Sequence, residues 1–106
     1  MPKVKTRSFK IERPQKESQA FKLIDPNEAI ILSHLPTKWK WVARDKDGNL
    51  YLFIKKPSKG SLYWMIGSRN RTDVMEFPYR NLFKCIKWTD SDPTNIDRLL
   101  QMNLPY

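Results

Sequence analysis

Soft metal ligands are scarce in this sequence: Cys85 is its one cysteine and His34 its one histidine. An intrachain disulfide is thereby excluded, and too few ligands remain for a structural zinc site from this chain alone. Long apolar runs are missing as well. The longest aliphatic run is Ala29 to Leu32, and with aromatics counted the longest are Leu50 to Ile54 and Leu62 to Ile66, far short of the roughly 20 residues that span a bilayer. Three glycines and a mean hydropathy of −0.67 argue against a fibrous or membrane protein. There is no Gly-rich phosphate loop, no GxSxG elbow and no internal repeat. The start, MPKVKTRSFK, has cations but no apolar segment after them. It does not read as a signal peptide, and a cytoplasmic location is the expectation.

Acid is also in short supply. Eleven Asp and Glu face twenty Lys and Arg, a net charge of +9. The excess is uneven. Residues 1–20 carry six cations against two anions, and residues 38–60 carry seven against two. Residues 21–37 and 91–106 are each slightly acidic. A field of this kind attracts nucleic acid, an anionic membrane or an acidic protein surface, without choosing among them.

What the chain does have is enough apolar and aromatic material for one core. Its 106 residues are 40% hydrophobic, with four Trp, four Tyr and five Phe. That length supports a single domain of two packed layers. Residues 1–18 show little apolar periodicity and read as a basic arm, flexible at least in part. Residues 19–106 read as the domain.

DPNEAIILSHLP predicts a short helix. Asp25 can cap it, Pro26 suits its first position, Glu28 makes the first turn acidic, and Pro36 limits its far end. Ile30, Ile31 and His34 are its candidate buried stripe, with His34 a helix-end residue rather than a base. KWKWVARD alternates, with Trp39, Trp41 and Ala43 on one face and Lys40, Val42 and Arg44 on the other. DKDGN signals a hairpin turn in which Gly48 supplies a positive φ. NLYLFIKK then sets Leu50, Leu52 and Ile54 against Tyr51, Phe53 and Lys55. SLYWMIG predicts a third strand and NLFKCIKW a fourth. SDPTNIDRLLQM predicts a closing helix capped by Asp92, begun by Pro93 and striped with Ile96, Leu99 and Leu100. The fold class expected is α+β: a small antiparallel meander of three or four strands, with a short N-terminal helix and a C-terminal helix packed on the sheet.

The chemistry-bearing groups favour binding over catalysis, and no enzyme and no cofactor are expected. Cys85 lies in the strand-like LFKCIKW, where a buried, inert thiol is the plain reading. Neither it nor His34 sits in a nucleophile motif. Asp45 and Asp47 are turn formers. A calcium loop fails, because counted from Asp45 the glycine is two positions early and Lys56 stands where the last carboxylate belongs. A metal-dependent nuclease built on Asp73, Glu76 and a lysine is the weakest alternative. Candidate contacts to phosphates or to an acidic partner are Lys38, Lys40, Lys55, Lys56, Lys59, Arg69 and Arg71. By the logic of a meander, KKPSKG lies near the chain entering KWKW, while RDKDGN and SRNR share the opposite end. Tyr51, Phe53 and Tyr63 are possible stacking residues for single-stranded bases, or else core. SLYWMIG, as an exposed edge strand, offers a route to a homodimer.

The segment W-x-W-x-A-R-D-x-D-G-x-L (Trp39, Trp41, Ala43, Arg44, Asp45, Asp47, Gly48, Leu50) and the tail D-P-T-x-I (Asp92, Pro93, Thr94, Ile96) resemble a pattern in small phage and prophage proteins of Gram-positive bacteria. The resemblance covers about half the chain. It implies a tryptophan-rich hairpin closed by a helix, and a protein that binds host machinery for replication, transcription or defence, including CRISPR effectors. It implies no activity. The expectation is thus a non-enzymatic phage-type binding protein in the bacterial cytoplasm. Its partner is nucleic acid or a host protein that handles it. The alternative is a direct single-stranded nucleic-acid-binding accessory protein.

Overall fold

The computed structural model describes residues 21–67 and 71–103, with Arg71 given by its backbone alone. The arm at 1–18 and Arg69 lie outside the described residues. The fold is α+β. Its order is α1 (Pro26–Ser33), β1 (Trp41–Arg44), β2 (Leu50–Phe53), β3 (Ser58–Lys59), β4 (Trp64–Met65), β5 (Val74–Phe77), β6 (Thr94–Asn95) and α2 (Ile96–Met102), with a 3-10 turn at Arg71–Asp73 before β5. Among these, no helix is long and apolar enough to cross a membrane.

The capping signal at α1 works as the sequence predicts. The Asp25 side chain accepts from the Glu28 N–H at 2.8 Å, and the Glu28 carboxylate accepts from the Asp25 N–H at 3.0 Å. This reciprocal box satisfies two of the donors that a helix start leaves open. The buried face differs from the expected stripe. Ala29, Leu32 and Ser33 point inward, whereas Ile30 is half exposed and His34 is exposed. The box explains it: Glu28 is itself turned inward, 8% exposed, and its second oxygen accepts from the Phe83 N–H. Phe83 has a φ of +55°, unusual for a residue with a side chain. A carboxylate that caps a helix also holds this bend.

β1 and β2 form the predicted hairpin, pairing Trp41 with Phe53, Val42 with Leu52 and Arg44 with Leu50. Gly48 takes a φ of +96° at the turn. A four-stranded antiparallel sheet in the order β5-β2-β1-β6 grows from this hairpin. Its outer strands are not the predicted ones. SLYWMIG does not join the sheet: Trp64–Met65 pairs with Ser58–Lys59 as a separate two-stranded ribbon folded across one sheet face. Trp64 anchors it, with its backbone N–H donating to the Asp45 carboxylate at 2.9 Å and its indole N–H to the Arg44 carbonyl at 3.0 Å. The third sheet strand is instead Val74–Phe77, paired antiparallel with β2. NLFKCIKW is a run of turns, held by the Glu28 contact and by Arg44 rather than by a ladder. The closing helix begins three residues later than Pro93, capped by Asn95 through the Arg98 N–H at 3.0 Å. Thr94 and Asn95 must first pair with Val42 and Trp41, and this keeps them extended.

Both sheet faces are covered. Val42, Leu50 and Leu52 pack with Ala29, Leu32, Phe77, Phe83, Ile86, Leu99 and Leu100 in the main core. Trp39 joins this core rather than sharing a face with Trp41, because it precedes the strand. The opposite face holds Ala43 and Phe53 under Trp64, flanked by Trp41, Tyr51 and Trp88.

Candidate nucleic-acid interface

The path of the chain decides which cations meet. β2 runs from the hairpin turn to the open end, the ribbon crosses the face, and β5 then starts back at the open end. There the Lys40 N–H donates to the Phe53 carbonyl at 3.0 Å, and the Ile54 N–H to the Asp73 carbonyl at 3.1 Å. Lys38 and Lys40, Lys55 and Lys56, and the backbone of Arg71 therefore assemble at one end of the sheet. The grouping of Lys55 and Lys56 with KWKW agrees with the sequence reading, whereas Lys59 of the same segment does not join it. The Arg71 turn is the correction: it joins them rather than the DKDGN turn, because the ribbon crosses the face and doubles back, where a third meander strand would have crossed once.

These lysines are exposed, and two of them lean on indoles. The Lys38 ammonium lies 5.1 Å from the Trp39 ring centroid, and that of Lys56 lies 5.5 Å from Trp41. Contacts of this kind at exposed sites contribute about 0.5–1 kcal/mol and limit where the charge can wander. No carboxylate pairs with Lys38, Lys40, Lys55 or Lys56 among the described residues.

Lys59 is placed elsewhere. Its ammonium donates to the Trp88 carbonyl and, at 2.9 Å, to the Asp90 carbonyl, and it sits 4.4 Å from the Trp88 ring centroid and 5.6 Å from that of Trp64. It is a strut between the ribbon and the 86–90 loop. Arg44, which the sequence reading did not name as a site residue, is more heavily committed. Its five N–H donors reach five main-chain carbonyls: Ile86 at 2.7 Å, Gly48 at 2.6 Å, Arg80 at 2.9 Å, Leu82 at 2.7 Å and Phe83 at 3.1 Å. Those bonds use its full donor set. Burial, then the neighbouring Arg80 charge, pull its pKa down from the ordinary arginine value.

The three candidate stacking residues part company. All three line a cleft of about 650 Å³ between the sheet and the ribbon, with Leu62, Trp64, Ile66 and Val74. Phe53, only 2% exposed, lies deepest and leaves little surface for a base, whereas Tyr51 and Tyr63 are more open. The charged groups along this cleft are Asp45, Lys46 and Asp47. Burial raises the pKa of the Tyr51 phenol, and the charges of Asp45, Glu76 and Asp47 add to the shift. Phosphates are repelled by such a rim, so the stacking candidates are not continuous with the lysine cluster.

Of the proposed nuclease pair, Asp73 closes the 3-10 turn and Glu76 stands in mid-strand opposite Tyr51. Among the described residues, no group of three or more His, Cys, Asp or Glu side chains could hold a metal ion. Burial raises the Cys85 pKa, which disfavours the reactive thiolate. His34 caps the end of α1, its Nδ1 lying 2.8 Å from the Ile30 carbonyl oxygen.

No protein-family model, no curated protein and no solved structure matches this chain.

Proposed function

We propose that this chain is a non-enzymatic binding protein whose open hairpin end meets the phosphate backbone of nucleic acid, in the cytoplasm of a bacterial host. The observation that carries this reading is the gathering of Lys38, Lys40, Lys55 and Lys56 at one end of the sheet, exposed and without carboxylate partners among the described residues. Four cations so placed supply phosphate contacts that are indifferent to base sequence. The resemblance to small phage proteins agrees with a binding role.

Titration of short single-stranded DNA and RNA against ionic strength tests it. Four phosphate contacts on a single strand give a slope of about −3 in log K against log salt, roughly a 50-fold loss between 50 and 200 mM. Undetectable binding to several nucleic acids at low salt would remove the reading. The partner would then be a host protein that handles nucleic acid, met through the same lysines.

A further inference from the structure

A second cationic region, sharing no lining residue with the aromatic cleft, lies beside the hairpin turn. It is a concavity of about 370 Å³ walled by Arg44, Arg80, Lys84, Lys87 and Trp88, with the polar side chains of Asn81 and Thr89 at its edge. No carboxylate lines it. Four like charges around one hollow repel each other, and among the described residues no carboxylate pairs with them.

The walls differ in what they can offer. Arg44 has every donor bonded to a carbonyl, so it contributes a fixed charge and no free N–H. Arg80 is held over the turn by one bond, from Nη2 to the Asp47 carbonyl at 3.1 Å. The absence of a side chain at Gly48 leaves room for it: a Cβ there would come within 2.9 Å of that nitrogen. The rest of the Arg80 fork remains open. Lys84 and Lys87 are exposed, and their ammonium groups have no partner among the described residues. Trp88 is half-buried and fixed by Lys59 and by an edge contact with Trp64 at 6.4 Å between centroids. A rigid indole beside converging cationic donors suits a planar ring that carries an oxyanion.

We infer that this concavity is a binding site for a nucleotide unit, with the phosphate held by Arg80, Lys84 and Lys87 and the ring against Trp88. A free mononucleotide and one nucleotide of a single strand present the same chemistry. The inference does not depend on the lysine cluster at the open end, since the two share no residue.

The test uses calorimetry on the full chain at low salt, with adenosine 5′-monophosphate, adenosine and a thymidine hexanucleotide as probes. The Trp88 indole N–H resonance is followed by NMR in parallel. Binding of the monophosphate with a shift at Trp88 is expected, weakened at least tenfold by Lys84→Glu with Lys87→Glu, two exposed positions whose change leaves the fold intact. Lys55→Glu with Lys56→Glu should leave this binding unchanged, which separates it from the open-end interface. If both the mononucleotide and the hexanucleotide shift Trp88, the site accepts a free nucleotide. If the hexanucleotide alone does, it reads a strand. The inference is overturned if neither probe moves Trp88, if adenosine binds as tightly as its monophosphate, or if the Lys84 and Lys87 variant binds like the parent.

Discussion

At the turn end of the β1–β2 hairpin, Arg44 and Lys59 direct their donors at main-chain carbonyls; at the open end, Lys38, Lys40, Lys55 and Lys56 stand in solvent. Both ends carry cations, and the roles differ. The turn end must hold residues 78–90, which have no ladder of their own, and a guanidinium fork can collect several carbonyls where no strand can form. The open end is already paired by β5 and β6, so its lysines have no such duty. Net charge therefore overstates what is available to a partner, and the difference between the two ends can be measured.

The largest effect is expected at Arg44. Arg44→Ala leaves five carbonyls without their donor and is expected to destabilise the fold by about 3–4 kcal/mol. Chemical denaturation checks this, and Arg44→Lys should recover little, because an ammonium cannot span the same five acceptors. Glu28→Ala follows, at about 2 kcal/mol, through loss of the acceptors for the Asp25 and Phe83 N–H groups, while the Asp25 cap itself stays. Lys59→Ala is expected to cost no more than about 1 kcal/mol, as an exposed side chain with cation–π contacts. It should leave the salt dependence of nucleic-acid binding untouched. A lowered slope for Lys59→Ala would move that residue into the interface and blur the two ends.

A smaller effect concerns pH. Burial raises the Asp45 pKa above its ordinary 3.8, the Trp64 N–H bond works against the rise, and the Asp47 charge adds to it. A raised folded-state pKa means that the folded protein takes up this proton before the unfolded chain does. Asp45 thus opposes folding at neutral pH, and the opposition is relieved as pH falls through the folded pKa toward the unfolded value near 3.9. Asp45→Asn keeps an acceptor for the Trp64 N–H and removes the charge. It should be at least as stable as the parent at pH 7, with the advantage shrinking toward pH 4 in thermal melts. An advantage that grew toward acid would contradict this.

The hairpin, the α1 cap and the fold class were legible because they are local: alternation, an Asp-Gly turn and an Asp-Pro-x-Glu start act within a few residues. The lysine cluster was legible for most of its members, since strand direction follows from the hairpin. The ribbon was not. SLYWMIG alternates like a sheet strand, but Trp64 has two anchors in the Asp45 and Arg44 region, far away in sequence. The same holds for Val74–Phe77, whose pairing with β2 skips twenty residues. The start of α2 was misplaced because Asp92-Pro93 is a good local signal overridden by pairing of Thr94 and Asn95 with β1. Arg44 as a five-carbonyl clasp left no mark, because main-chain acceptors carry no sequence.

The most direct measurement is the salt slope of single-stranded DNA binding for the parent and for Lys55→Glu with Lys56→Glu. The account predicts a slope falling in magnitude from about 3 to about 1.4 as two of four phosphate contacts are lost, with the denaturation midpoint unchanged. An unaltered slope with unaltered affinity would contradict it.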